Sequence, residues 1–399
     1  VAIDAGWQCA LMAPTEILAE QHFRKLVSWL EPLGVKVAWL TGSLKAKAKR
    51  EQLALVASGE AQLVVGTHAV IQDQVEFSKL GLALIDEQHR FGVAQRLQLR
   101  RKLESNELEP HLLMMSATPI PRTLAMTYLA DLEVSTIDEL PPGRTPIVTK
   151  VFADTRRPEV IERIRDEVAK GSQVYWVCPL IDETEESDQA ADEKAGRDSN
   201  KRPPLDLSNV TQTHQELSEA LQGFGVGLLH GRLPTAEKAD VMARFANGEL
   251  SVLVATTVIE VGVDVPNASL MIIEHAERFG LSQLHQLRGR VGRGAVASVC
   301  VLLYASPLSD TGKSRLKAMA ETNDGFEIAR RDLEIRGPGE FMGARQSGAA
   351  LLRFADLQED LGLVQQAREV AEQMLRAHPH AAERHVARWL GQKSEFLKA

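Results

Sequence analysis

The 399 residues hold 54 acidic against 46 basic side chains, a formal net charge of −8, and 44% of them are hydrophobic. That length exceeds one ordinary domain and supplies material for two or three cores, while the acidic balance argues against a broad electrostatic footprint for nucleic acid. No stretch reaches the roughly 18 consecutive apolar residues of a membrane span, and Cys9, Cys178 and Cys300 each sit in an apolar run, as reduced core thiols do.

Short apolar runs alternate with amphipathic stretches, which predicts parallel sheets with right-handed crossovers and an α/β fold. Strands are expected near 8–13, 35–40, 62–66, 82–85 and 111–115. After the first, Thr15 is a natural N-cap for a helix in which Phe23, Leu26, Val27 and Leu30 step at i, i+3, i+4, i+7. The next two runs are followed by Thr41-Gly42-Ser43 and Gly66-Thr67-His68. Small hydroxyls and open backbone N–H groups suit sequence-blind contact with a phosphate backbone, although each segment also reads as an ordinary turn. Lys45–Arg50 (K-A-K-A-K-R) is the basic cluster of this half, either a solvated helix face or a contact to a DNA backbone.

The fourth run, Leu82 to Ile85, is wholly apolar, as a central parallel strand is, and it ends in Asp86-Glu87-Gln88-His89. Open α/β sheets bind ligands at such carboxyl ends. Asp86 suits Mg2+, which keeps several waters and takes one or two carboxylates. Glu87 then stands to orient or deprotonate an attacking water. His89 by itself reads more simply as structural than as a metal ligand. Ser116-Ala117-Thr118 follows the next strand and brings hydroxyls beside the carboxylates. Leu140–Arg144 (L-P-P-G-R) is a stiff linker.

Beyond the linker, strands are expected at 147–152, 173–181, 225–229, 251–255, 269–273 and 298–304. Asp182–Pro204 interrupts them with an acidic stretch almost devoid of large apolar residues. It cannot bury enough surface to order itself and reads as a disordered loop without assigned function. The strand at 251–255 runs into Thr256-Thr257 and then Gly262-Val263-Asp264. Gln286, Arg290 and Arg293 share one short segment, where Gly289 and Gly292 permit close approach. A guanidinium fork matches phosphate and neutralises charge on a transferred phosphoryl group. From Pro307 the pattern turns helical: 311–321, 325–334, a glycine-rich loop at 337–348, and an amphipathic run over 355–390. No G-x-x-x-x-G-K-[ST] pattern occurs; Gly312-Lys313-Ser314 has Pro307 where the first glycine belongs.

Together, A-P-T-E-I-L-A-E-Q-H (13–22), G-T-H-A-V-I-Q (66–72), D-E-Q-H-R-F-G-V (86–93), S-A-T-P-I-P-R-T-L-A-M (116–126), L-P-P-G-R-T-P (140–146), the 252–294 stretch and D-L-E-I-R-G-P-G-E-F-M-G-A-R-Q-S-G (332–348) resemble superfamily-two DNA translocases, and specifically the RecG helicase family. The likeness covers essentially the whole chain except the acidic insert. It implies two RecA-like parallel-sheet lobes, 1–143 and 144–305, then a helical hairpin and C-terminal helices over 306–399. It implies ATP and Mg2+ as cofactors, held between the lobes. Asp86, Glu87, Gln286, Arg290 and Arg293 are then catalytic, and Asp86, His89, Ser116, Thr118, Gly262 and Asp264 face the nucleotide.

Thr15, Thr41, Gly42, Thr67, His68, Thr256 and Thr257 are implied on the DNA side. Arg315, Arg336 and Gln346 are implied in translocation; without the resemblance they read as helix-surface arginines and a loop glutamine. The implied enzyme is a cytoplasmic monomer that drives branched double-stranded DNA, replication forks and Holliday junctions, with a single-stranded DNA-binding protein as a further partner. The D-E-Q-H box and R-G-P-G-E favour RecG over the transcription-repair coupling factor Mfd. A DNA-binding fragment without turnover is the alternative of a different class. The family's phosphate-binding loop and N-terminal wedge domain are absent from these residues, as is a starting methionine. The chain is therefore expected to be a piece of a longer protein and, alone, to bind ATP poorly and hydrolyse it negligibly.

Overall fold

Aliphatic strands too short and too apolar to face water on either side must be covered by helices on both, and this chain does so twice. The computed structural model describes residues 1–88, 91, 110–117, 133–137, 139, 144–179, 208–256, 265–294, 296–336 and 361–390. The chain divides into two compact units, Val1–Ile137 with Arg336–Ala399, and Asp138–Ile335. No helix among the described residues is long and apolar enough to cross a membrane.

The first unit is built on β1 (Gln8–Met12), β2 (Val37–Leu40), β3 (Leu63–Gly66), β4 (Leu80–Ile85) and β5 (His111–Met114), in the order β2-β3-β1-β4-β5. Every pair is parallel. Alternate residues of β1 serve opposite faces, as the two-residue period requires. Cys9 and Leu11 pack with Phe23, Leu26 and Leu30 of the helix Glu16–Leu30, whereas Ala10 and Met12 pack with Leu53 and Val56 of the helix Ala46–Ala57. Val1–Trp7 carries the hydrogen bonds of a helix C-cap: Ala5 N–H to the Val1 carbonyl (2.9 Å), Gly6 N–H to Ile3 (2.9 Å) and Trp7 N–H to Ala2 (3.0 Å), with Gly6 at φ +82°.

The second unit contains β6 (Val148–Ala153), β7 (Gln173–Val177), β8 (Val226–Leu229), β9 (Val252–Ala255), β10 (Ala268–Ile273) and β11 (Val299–Tyr304), in the order β6-β11-β10-β7-β9-β8. Again all pairs are parallel. Trp176, Val254 and Ile272 meet the helices Arg157–Ala169 and Ser208–Ala220 through Ile164, Val168 and Leu217, with Leu221 just past the second helix in the same cluster. Tyr175, Leu253 and Met271 on the other face pack with Phe245, Leu284, Leu316, Met319 and Ile328. Residues 310–321 and 325–336, the expected hairpin, thus contribute side chains to the core of this sheet.

Read from β8, the second sheet runs β8-β9-β7-β10-β11, the same connectivity as β2-β3-β1-β4-β5, with β6 added at the edge. The likeness extends to single hydrogen bonds. Gln8 and Gln173 each open a central strand, buried, and each amide donates to two carbonyls: Val56 and Ala61 in the first sheet, Phe245 and Leu250 in the second. Thr67 N–H bonds the Leu40 carbonyl and Thr256 N–H the Leu229 carbonyl, both at 3.2 Å.

Two of the boundaries that differ from expectation lie at prolines. The strand expected to reach 181 ends at Val177; Cys178 N–H still bonds the Ala255 carbonyl at 2.9 Å, but Pro179 has no donor to continue the ladder. The C-terminal run divides into helices Leu361–Ala377 and Pro379–Leu390, since proline disfavours helical geometry at His378.

Arg288 is 2% exposed, and its Nη1 donates to the Met319 and Thr322 carbonyls (3.0 and 2.9 Å) and to the Thr149 hydroxyl (3.2 Å). Burial pulls its pKa below the usual arginine value, yet a guanidinium stays protonated. The charge is met by carbonyls at the end of the helix Asp310–Glu321, where the helix dipole is negative.

Two substitutions test this packing. A Cβ at Gly66 would lie 1.8 Å from the Leu40 carbonyl oxygen, so Gly66→Ala should destabilise the first lobe by about 3 kcal/mol or more. The loss should be visible as faster amide exchange at Val64 and Val65. Arg288→Met leaves buried carbonyls without donors and should lower stability by about 2–4 kcal/mol in urea titration; a neutral result would mean the carbonyls find other donors.

Candidate functional site

In the first lobe β4 delivers the acidic pair to the carboxyl edge of the sheet. The Asp86 N–H bonds the Met12 carbonyl at 2.9 Å, extending the β1–β4 ladder by one residue. This is the point where the chain, having built β2 and β3 on one side of β1, changes sides to add β4 and β5. Such switch points open a crevice between adjacent strand ends. Asp86 Oδ1 accepts the Glu87 N–H at 2.9 Å, and Oδ2 lies 2.8 Å from Nε2 of His22. Glu87 itself adopts φ +50°, a left-handed conformation that costs a non-glycine residue about 1–2 kcal/mol. Gln88 N–H bonds the Met115 carbonyl at 3.0 Å, and the β4–β5 register places Ser116 beside Glu87.

Asp86 is a single, partly exposed carboxylate, its side chain 22% accessible. Among the described residues no group of three or more His, Cys, Asp or Glu could cage a metal ion. One hard carboxylate with access to water fits Mg2+ held through its hydration shell and does not fit an all-protein cage. Asp86 is therefore the residue that would hold it. His89 and Thr118 lie outside the described residues.

The other strand ends of this sheet carry the expected hydroxyl residues. Thr15 caps the helix Glu16–Leu30, its hydroxyl accepting from Leu18 N–H at 3.4 Å. Thr41 and Thr67 are buried at 1% and 4% exposure, whereas Gly42 and His68 are exposed. Their backbones follow β2 and β3 on the edge that also carries Asp86.

In the second lobe the helix Leu281–Arg288 leads directly into the arginine segment. Arg290 is 9% exposed, Arg293 is partly exposed, and Arg293 Nε donates to the Gly289 carbonyl at 3.3 Å. Gly292 takes φ +75° with Ile147 side-chain carbons 3.0 Å from where its Cβ would be, so only glycine makes this turn without strain. Gln286 is half-buried on the preceding helix, and Thr256 is buried at the end of β9. Arg315 lies on the helix Asp310–Glu321 and Arg336 closes the helix Gly325–Arg336. Thr257, Gly262, Asp264 and Gln346 lie outside the described residues, as does the acidic insert.

Several functional-looking groups have no counterpart in the sequence reading. His22 is one. A second is Glu274, which follows β10 as Asp86 follows β4, its N–H bonding the Val177 carbonyl at 2.9 Å. Glu274 is buried, with Oε1 taking Arg157 Nε at 2.6 Å and Oε2 taking the Cys178 thiol (3.3 Å) and the Thr213 hydroxyl (3.4 Å). Arg157 also donates to Glu216 at 2.8 Å and lies over the Trp176 ring. The residue after it, His275, shares the left-handed conformation of Glu87, at φ +47°. The Glu277 carboxylate, 3.5 Å from His275 Nδ1, raises the His275 pKa. Arg157, Thr213, Glu216, Glu274 and His275 border a cleft of about 430 Å3. A buried, fully partnered carboxylate of this kind holds structure together, whereas the partly exposed one in the first lobe is accessible to a ligand.

Known proteins match along the chain. Residues 2–127 match the DEAD/DEAH box helicase family, 159–295 the helicase conserved C-terminal domain, and 322–398 the C-terminal part of domain 3 of the ATP-dependent DNA helicase RecG. The ATP-dependent DNA helicase RecG of Escherichia coli O157:H7 is 53% identical over 399 residues, all of this chain and 55% of the relative. That of Acidithiobacillus ferridurans is 54% identical over 99% of this chain and 54% of its own length. A solved structure of RecG bound to a three-way DNA junction aligns with 90% of this chain and 44% of its own, at a TM-score of 0.66 and 40% identity. The chain thus spans a little over half the length of the curated relatives it matches, in two RecA-like lobes and further helices. It belongs to the RecG helicase family.

Proposed function

We propose that these residues are the motor portion of an ATP-dependent, double-stranded DNA translocase that reverses stalled replication forks and migrates branched junctions. The observation that carries the reading is the Asp86–Glu87 corner: an accessible carboxylate at the switch point of a parallel sheet, followed by a strained glutamate, in a chain of the RecG family. Functionally the chain divides into 1–143, 144–305 and 306–399. The same reading makes the whole protein a cytoplasmic monomer that meets a single-stranded DNA-binding protein at forks.

Bound Mg2+ would neutralise charge on the nucleotide phosphates. Asp86 holds its water shell, and Glu87 orients the attacking water and accepts its proton. Arg290 and Arg293 meet charge that develops on the transferred phosphoryl group, with Gln286 positioning within the same segment. Ser116, together with His89, Thr118, Gly262 and Asp264, completes the nucleotide contacts. Hydrolysis here is mainly positioning and charge stabilisation. Thr15, Thr41, Gly42, Thr67, His68, Thr256 and Thr257 contact the DNA backbone. Arg315, Arg336 and Gln346 convert lobe movement into DNA movement.

Three outcomes test this. Since no G-x-x-x-x-G-K-[ST] loop occurs in these 399 residues, the purified chain should show no DNA-stimulated ATPase; turnover abolished by Glu87→Gln would contradict that. In a full-length chimera, with this segment replacing the matching part of the E. coli relative, Arg290→Ala or Arg293→Ala should reduce ATP turnover by about 10³-fold or more. Arg336→Ala or Gln346→Ala should retain most DNA-stimulated ATPase while fork reversal collapses. Equal losses of both activities in Gln346→Ala would remove the coupling role.

A further inference from the structure

His22 faces the nucleotide corner from the helix Glu16–Leu30, its Nε2 2.8 Å from Asp86 Oδ2. The two meet because that helix follows β1 while Asp86 closes the adjacent β4. With Oδ1 taking the Glu87 N–H, both carboxylate oxygens are engaged and the Asp86 rotamer is fixed. An ionised carboxylate only accepts, so this contact is a hydrogen bond in the His22 tautomer that carries the proton on Nε2. Each oxygen retains a further lone pair for a metal-bound water.

The same helix is tied at its first turn to the loop after β2. Glu16 Oε1 accepts the Ser43 N–H at 3.1 Å and Oε2 accepts the Ser43 O–H at 2.9 Å. The Ser43 hydroxyl lies 3.2 Å from that of Thr41. Glu16 and His22 are about 9 Å apart along one helix axis, with no flexible joint between them. A displacement of residues 41–43 therefore reaches Asp86 through two hydrogen-bonded contacts and one rigid element.

We propose that His22 is a positioning residue for hydrolysis: it holds Asp86 in the orientation that receives the Mg2+ hydration shell and, through the helix it shares with Glu16, makes that orientation respond to a DNA phosphate at residues 41–43. This rests on the reading of Asp86 as the Mg2+ carboxylate and of 41–43 as a DNA contact. Removing a partner that orients a ligating carboxylate changes metal affinity or activity by about 10–100-fold.

The test uses the full-length chimera with Mg2+, ATP and a three-way DNA junction. His22→Ala should raise the Mg2+ concentration for half-maximal turnover by about 10-fold or more. It should weaken Mg2+-dependent binding of N-methylanthraniloyl-ATP similarly, a readout independent of turnover. His22→Gln keeps a side-chain N–H and should recover much of both; it also decides the matter if His22→Ala fails to fold. Glu16→Ala should leave DNA-free turnover and its Mg2+ dependence unchanged while reducing stimulation by DNA several-fold. Unaltered Mg2+ dependence in the His22 variants, even with lower turnover, would assign His22 a merely structural role and overturn the proposal. Full DNA stimulation in Glu16→Ala would overturn the link to residues 41–43. Glu87→Gln serves as the control: if it still turns over, the nucleotide-site reading fails, and the proposal with it.

Discussion

Parallel pairing is the constraint from which the rest follows. Within each sheet every described strand points the same way, so each strand-to-helix loop opens on one edge. Residues distant in sequence are thereby gathered: Thr15, Thr41, Thr67, Asp86 and Ser116 each follow a strand of the first sheet. Helices on both faces are needed to cover such strands, and their N-termini then sit beside the loops. A row of hydroxyls and backbone donors next to a carboxylate is a consequence of topology before it is a device for chemistry.

The second sheet repeats the plan and spends its equivalent corner differently. Asp86 and Glu274 make the same backbone hydrogen bond, and each precedes a residue in the left-handed region. In the first lobe the carboxylate stays accessible and has a histidine partner; in the second it is buried under Arg157. The strain at Glu87 persists because hydrogen bonds on both sides fix the corner, those of Asp86 to Met12 and of Gln88 to Met115. In the second lobe the proposed phosphate contacts lie instead in the Gly289–Arg293 segment, which directly follows the buried Arg288.

Much of this was legible in the sequence, for a physical reason. Strands buried on both faces are continuous apolar runs, so most of their ends read to within a residue or two; the strand before Pro179 falls short by more, and β4 begins earlier, where Leu80 pairs with Gln8. Asp86, Glu87, Arg290 and Arg293 were visible because they close such runs or carry glycines beside them. Gln8, Gln173, His22 and Glu274 were not, since their partners are far away in the chain and polar residues inside helices or strands leave no periodic trace. Arg288 left one: it falls on the buried stripe of Leu281 and Leu284, where a solvated arginine does not belong.

Under the proposed function, Glu87 and Arg290 act on a single phosphoryl transfer. A double-mutant cycle on kcat in the full-length chimera, with Glu87→Gln and Arg290→Ala singly and together, addresses it directly. Groups acting on one transition state are grossly non-additive, so the double variant should be scarcely slower than the worse single one. Strict additivity of the two losses would contradict the account.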